Sequence, residues 1–433
     1  MASSILLYVQ IAFNTHRFES FTLISSYSLV FIFYLILVRK YSYSAITINY
    51  LLGLAIVIRL ILVGAFPSLS DDIYRFIWDG RLLNAGIHPF TEVPSFYMIK
   101  GNEVAGLDQP LYSKLNSPEY FTIYPPFAQF VYWVSTYVTD SIYLSCIIIK
   151  SLIVLAEVGS IFIGIKLLQR YNLPKRNILL YALNPLVILE LTGNLHFEAF
   201  MIFFLLLSVY LIHEYSMIRS GFFMAASIAS KLIPIMFLPL LLRRLKAKPL
   251  LKWYLAILIF SSLFFFPLFR PEFITGMSES LGLYFQKFEF NASIYYIVRE
   301  VGFWIKGYNI IGFAGKLLAL FSFLSIVALS IFYRKSVNIF ELMMLALTTY
   351  LLLSTIVHPW YITTIIFLSV FTKYRYSIVW SLLIFFTYLG YTKTGFQENM
   401  LVVVVEYIVV IAVLIYEIYA VSKKRTPWLA KGA

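Results

Sequence analysis

The sequence predicts an all-α, polytopic integral membrane protein of about 12–14 helices with one large extracytoplasmic loop. Three observations carry this. Of 433 residues, 61% are hydrophobic and 13% charged, about half the roughly 25% of soluble domains. The mean hydropathy is +0.84. Apolar runs recur from residue 5 to residue 420, and a hydrocarbon core needs roughly 20 apolar residues per helical crossing. The runs are near-continuous Leu, Ile, Phe and Val, without the alternation of a transmembrane barrel. A soluble enzyme, a disordered chain and a disulfide scaffold are excluded. The single cysteine, Cys146, allows no intrachain disulfide.

The elements follow in order. Spans are expected at 4–16, 22–38 and 46–66. Nothing after Met1 resembles a cleaved signal peptide, so the first run is expected to stay as a helix. A loop over 67–142 follows. Within it, Pro125 and Pro126 introduce an amphipathic segment at 126–139, rich in Tyr and Trp and too short to cross. Further spans are expected at 143–168, 177–192 and 197–213. Residues 219–242 read as two shorter segments broken around Lys231 and Pro234, entering and leaving on one side. Spans at 251–269, 309–333, 338–356, 359–372, 376–392 and 400–421 complete a single membrane domain over 1–433.

Charge sets the expected orientation. The net charge is +13, which in a soluble chain would suggest nucleic acid. Here the basic residues fill short gaps between apolar runs: Arg39 with Lys40; Arg170, Lys175 and Arg176; Arg243, Arg244, Lys246, Lys248 and Lys252; Arg334 with Lys335; Lys373 with Arg375; and Lys423, Lys424 and Arg425. That pattern marks cytoplasmic ends, and no nucleic-acid partner is expected. Residues 67–142 oppose it, with eight acidic and four basic residues and all five aspartates of the chain. This acidic loop is expected outside.

The loop begins PSLSDDIYRFIWDGRLLNAGIHPF at 67–90. Asp71 and Asp72 stand within a few residues of the membrane edge. Helical spacing puts Asp72, Arg75 and Asp79 on one face and turns Phe76 and Trp78 toward the lipid interface. Gly86 and Pro89 mark a turn. A carboxylate pair here can act as a general base or bind a metal, or serve as solvated charge on an interfacial helix. Tyr124, Pro125 and Pro126 give a rigid helix entry.

Arg59, Lys150, Glu157, Glu190, Glu198 and Lys231 lie inside apolar runs, where charge is costly and marks functional candidates. Lys150 and Glu157, seven residues apart on one face, read as a buried structural pair. Arg59 is expected to neutralise an outer-loop carboxylate or a helix end. Lys231 sits where prolines break the helix, which at membrane depth suits a polar cavity, and it is expected to bind phosphate. His196, Arg270, Lys287, Asn291, His358, Trp360 and Tyr361 fall on the same side as the acidic loop; interfacial anchoring is the alternative role for Trp360 and Tyr361. Asn291-Ala-Ser293 fits a glycosylation sequon by chance. There is no Walker loop, GxGxxG or HExxH, and the cytoplasmic gaps are too short for a nucleotide-binding domain.

In order along the chain, SDDIYRFIWDGR, IYPPFAQ, LNPLVILELTGNLHFEA, ASKLIPIMFLPL, FEFNASIY and HPWY resemble multi-spanning GT-C glycosyltransferases. The closest resemblance is to bacterial polyprenyl-phosphate-mannose-type enzymes of the GT87 kind, and more distantly to the catalytic subunit of GPI mannosyltransferase I. The first block is fairly specific; the others inform as an ordered set. The resemblance implies the GT-C fold, with juxtamembrane helices on the first outer loop, a shared helical module over 143–269 and a variable C-terminal set over 309–421. It implies an inverting mannosyltransferase using a polyprenyl-phosphate sugar donor and a glycan or glycolipid acceptor. The site would be extracytoplasmic, in the plasma (inner) membrane if the source is bacterial.

Asp72 matches the family's key outer-loop acid best, with Asp71 beside it. The resemblance puts substrate around them, at Arg75, Asp79, Arg81, His88, Tyr124, His196, Glu198, Lys231, Arg270, Asn291, His358 and Tyr361. No cofactor is implied and no metal site assigned, although the paired aspartates leave a divalent metal open. The acidic loop follows the third apolar run where many GT-C members have it after the first, which two extra N-terminal helices would explain. The rival readings are a lipid-linked sugar flippase or transporter, and a lipid-linked polymer ligase.

Overall fold

The structure, a computed structural model, describes residues 2–40, 44–286, 288–333 and 337–423. Lys287, Arg334, Lys335, Lys424 and Arg425, singled out above, lie outside the described residues. The chain opens with α1 (Ala2–Asn14), α2 (Ser20–Lys40) and α3 (Ala45–Val63). The loop carries α4 (Asp72–Asn84) and α5 (Pro126–Val138). Then come α6 (Ile142–Arg170), α7 (Pro185–Gly193), α8 (Glu198–His213), α9 (Met217–Ser230) and α10 (Ala247–Phe265). The remainder is α11 (Pro271–Gln286), α12 (Ile294–Lys306), α13 (Ile311–Phe332), α14 (Ile339–Leu353), α15 (Ile362–Ser369), α16 (Tyr376–Leu383) and α17 (Met400–Ser422). Between α16 and α17, β1 (Tyr391–Thr392) and β2 (Gly395–Phe396) form a small antiparallel hairpin.

The protein is an all-α polytopic membrane protein. Among the described residues, six helices are long and apolar enough to cross a bilayer: α2, α3, α6, Ala247–Leu268, α13 and α17. α7 and α8 make a seventh if counted as one span bent by 109°. Ser3–Asn14, Ile339–Leu353, Pro359–Ser369 and Tyr376–Gly390 are apolar but shorter than the spans expected there. Local chemistry shortens them. Pro359 opens a 3-10 turn before α15, and α16 tightens into a 3-10 helix over Ile384–Gly390.

Charges buried in the bundle pair differently from the sequence expectation. Arg59 Nε meets Glu157 Oε1 at 2.8 Å, and Thr192 also donates to Glu157. Arg59 further donates to the Ala182 carbonyl at 2.7 Å. Lys150 instead donates to the carbonyls of Leu62 (3.1 Å) and Ala65 (2.6 Å), the negative end of α3. The i, i+7 spacing of Lys150 and Glu157 was outweighed by nearer acceptors on other elements.

Two glycines permit close helix approach. A Cβ on Gly221 would lie 2.5 Å from that of Ala256, so α9 and α10 touch along a small-residue seam where Trp253 Nε1 donates to Ser220. A Cβ on Gly80 would lie 2.6 Å from the Tyr132 carbonyl oxygen, so α4 and α5 are pressed together. That contact corrects a sequence expectation. Phe76 and Trp78 do not face lipid; both are buried, with Phe76 stacked on Tyr132 at 4.3 Å. α5 is the short amphipathic helix expected: Val131, Tyr132 and Ser135 are buried, while Phe130, Tyr137 and Val138 are exposed.

The two ends of the bundle differ in charge. At one, Arg170 pairs with Glu214, Arg244 donates to the Val337 carbonyl, and Glu417 accepts from the Arg375 backbone. At the other lie the acidic loop, the α1–α2 turn, the α7–α8 bend, the end of α9 and the hairpin.

Candidate active site

Asp71 occupies the N-cap position of α4 without a side-chain capping bond, and Asp72 is the first residue of the helix. They meet different partners. Asp71 forms an ion pair with Arg17 from the α1–α2 turn; the two side chains are 36% and 30% exposed. The Arg17 guanidinium lies 4.9 Å from the Tyr391 ring of β1. Asp72 is held by neutral donors instead: the Asn116 amide at 3.2 Å and the Tyr124 hydroxyl. Burial raises the pKa of Asp72. Asn116, the charge of Lys231 and Tyr124 work against that rise, and the charge of Asp71 adds to it.

The floor comes from two broken helices. α7 ends in a π-helical turn at Ile188–Gly193, and the chain then bends into α8 through Leu195, whose φ is 61°. Such turns are frequent at functional sites. The break gathers a buried polar cluster. Glu190 accepts from Tyr388 at 2.9 Å and lies 3.3 Å from His196 Nε2. Asn194 accepts the Leu69 N–H, which ties the bend to the segment leading into Asp71. The His196 ring stacks on Trp360 at 3.8 Å, and Trp360 stacks on His358 at 4.3 Å.

α9 stops at Ser230, and Lys231 adopts extended geometry. Its ammonium pairs with the enclosed Glu198 and lies 4.9 Å from the Tyr361 ring. The Lys231 side chain keeps 27% exposure, so a cation faces the chamber from a supported position. Among the described residues, no group of three His, Cys, Asp or Glu side chains could hold a metal ion.

The structure thus gathers Asp71, Asp72, Tyr124, His196, Glu198, Lys231, His358 and Tyr361. Others named above are engaged elsewhere. Arg75 binds Asp79 at 2.9 Å and the Tyr120 carbonyl at 2.9 Å; Asp79, fully enclosed, also accepts from Gln129. That leaves Asp79 no surface for a substrate. Arg81 donates to the carbonyls of Gly106 (2.5 Å) and Asp140 (2.7 Å), holding the loop. His88 contacts the Leu268 carbonyl at 3.1 Å; burial, then the nearby charge of Arg270, lower its pKa. Asn291 is fully buried and donates to Glu406 at 3.1 Å, so it cannot serve as a glycosylation acceptor in the folded protein.

Four contributors were not foreseen as site residues. Arg17 is a lone cation at an apolar helix junction, a signal available in the sequence. Asn116 stands eight residues before Tyr124 in the loop, and nothing in the sequence marks it. Tyr388 and Tyr391 carry no signal in a chain with 33 tyrosines.

The fold and this site define a polytopic helical membrane protein whose carboxylates and two cations, Arg17 and Lys231, converge at one end. Residues 6–245 match the family model described as alpha-(1->6)-mannopyranosyltransferase, N-terminal domain. The match covers more than half of the chain, and the chain belongs to this family of mannosyltransferases. Because the match begins inside α1, the N-terminal hairpin is part of the family's own domain rather than an addition to it. Comparison with curated proteins finds no significant match.

Proposed function

We propose that the protein is an inverting mannosyltransferase that moves mannose from a polyprenyl-phosphate donor to a hydroxyl of a glycan or glycolipid acceptor. The observation that carries this is the division of labour around Asp72. Arg17 neutralises Asp71, neutral donors hold Asp72, and Lys231 presents a positive charge to the same chamber. Asp72 is the base and Asp71 its structural neighbour.

In the reaction, the acceptor oxygen forms a bond to the anomeric carbon as the bond from that carbon to the phosphate oxygen breaks. The hydroxyl proton passes to Asp72. The electron pair leaves with the polyprenyl phosphate, whose growing negative charge Lys231 stabilises. In-line displacement inverts the anomeric centre. An alpha-(1->6) product, the linkage in the family's description, therefore calls for a β-linked donor and a primary acceptor hydroxyl. The basic end of the bundle supports an orientation with that end in the cytoplasm and the site on the outer face, as the positive-inside rule predicts.

The test is transfer of radiolabelled mannose from polyprenyl-phosphate-mannose by the full chain in liposomes. Asp72→Asn is expected to cut transfer by about 10²–10⁴-fold, the usual contribution of a general base, with donor binding retained. Transfer undiminished in Asp72→Asn would remove Asp72 as the base. Movement of the donor lipid between leaflets without transfer would make the protein a transporter.

A further inference from the structure

We propose that the Arg17–Asp71 ion pair and the Tyr391 ring form the acceptor subsite, taking the terminal pyranose of a neutral glycan. The inference rests on Asp72 being the base and names the substrate that reaches it.

Charge decides which flank of Asp72 takes which substrate. The donor is an anion. On the Arg17 flank the guanidinium is neutralised by Asp71, and Asp72 adds negative charge, so a phosphate is repelled there. Lys231 is also paired, but its partner Glu198 is fully enclosed whereas Asp71 is 36% exposed, so an anion approaching the Lys231 flank meets the ammonium rather than a carboxylate. A neutral acceptor is left with the Arg17 side.

The chemistry of that side suits a sugar. The planar guanidinium donates N–H groups in a fixed fork, and a carboxylate accepts from two hydroxyls. Vicinal hydroxyls of a pyranose match both. Both charged side chains keep about a third of their surface open, so neither is consumed by the pair. Tyr391, partly exposed with the Arg17 guanidinium over its ring, puts aromatic surface beside the pair for the C–H face of a sugar.

The three groups are held in place from separate directions. The α1–α2 turn is closed by the His16 N–H donating to Glu19 at 2.7 Å, and the His16 and Phe18 rings stack at 5.2 Å. Tyr391 is braced by Tyr388 at 5.8 Å and Phe396 at 4.8 Å. Asp71 directly precedes Asp72, so a sugar seated at the pair lies beside the base. Arg17 and Asp71 lie within the family match, whereas Tyr391 lies beyond it.

Equilibrium binding to the detergent-solubilised full chain tests this without requiring turnover. The probes are an alkyl α-mannoside for the acceptor and polyprenyl phosphate for the donor side. Arg17→Ala and Tyr391→Leu are expected to weaken mannoside binding tenfold or more while polyprenyl phosphate binds as in wild type. Tyr391→Phe, which keeps the ring, is expected to retain mannoside binding. Lys231→Ala is expected to show the opposite selectivity. Mannoside binding indifferent to Arg17 and Tyr391, absent from wild type, or lost together with polyprenyl phosphate binding would overturn the proposal. Radiolabelled transfer by wild type and Asp72→Asn, run in parallel, keeps failure of the base assignment separate from failure of the subsite.

Discussion

Glu198 is sealed inside the bundle, yet its ion-pair partner Lys231 keeps 27% of its side chain in the open. A buried carboxylate anchors a cation that still faces the chamber. Removing the lysine therefore has two consequences. Lys231→Met is expected to destabilise the fold by about 3 kcal/mol, because Glu198 is left buried without its partner, and to raise the donor KM at least tenfold. Adding Glu198→Gln is expected to recover stability but not donor affinity. Thermal unfolding in detergent beside two-substrate kinetics checks both; recovery of donor affinity in the double variant would contradict the role of Lys231.

The raised pKa of Asp72 fixes the acid limb of activity. A base must be deprotonated, so kcat/KM is expected to fall with decreasing pH around a midpoint above the ordinary aspartate value of about 3.9. Asn116 and Tyr124 lower that pKa, so Asn116→Ala and Tyr124→Phe are expected to move the limb to higher pH. For stability, the raised folded pKa means that the contribution of Asp72 is full in acid, below its unfolded pKa. It is lost as pH rises through the folded pKa. pH–rate profiles of the three proteins test the shift, and a limb unmoved by both variants would separate these donors from the base.

Coupling in the buried charge network distinguishes the observed pairing from the one that spacing suggests. Arg59→Met and Glu157→Gln are each expected to cost several kcal/mol, about 3–5, and together far less than the sum. Lys150→Met and Glu157→Gln are expected to add. A double-mutant cycle on thermal stability reads both, and strong coupling between Lys150 and Glu157 would contradict the structure.

Gly80 sets the distance between α4 and α5. Gly80→Ala places a methyl 2.6 Å from the Tyr132 carbonyl oxygen, and backbone cannot swing aside. The expected cost is about 1–3 kcal/mol, with reduced turnover because α4 carries Asp72 and the chain between the helices carries Tyr124. Wild-type stability and turnover in this variant would show that the two helices can separate freely.

Much of this architecture was legible in residue patterns. Apolar runs announced the membrane class. The SDD block led to the chamber, and the breaks at Lys231 and before Glu198 were written in proline, glycine and asparagine. Pairing was not legible. Arg59 found Glu157 across helices, a contact that one-dimensional spacing cannot register. Arg75 and Asp79 share a face as the spacing said, but the closeness of α4 and α5 at Gly80 turned that face inward. Phe76 and Trp78 followed for the same reason. Tyr388 came to the site on the 3-10 helix after α16 and Tyr391 in the hairpin that follows, and the position of both depends on the whole bundle.

The α1–α2 turn and the β1 hairpin meet at Arg17, although the hairpin is made long after the turn. A nascent chain with its first nine helices integrated already holds Arg17, Asp71, Asp72 and Lys231. It still lacks Trp360, Tyr361, Tyr388 and Tyr391, which close the chamber. The site is completed only once the hairpin has been made, so a chain terminated before it carries the charged half of the site without its aromatic side.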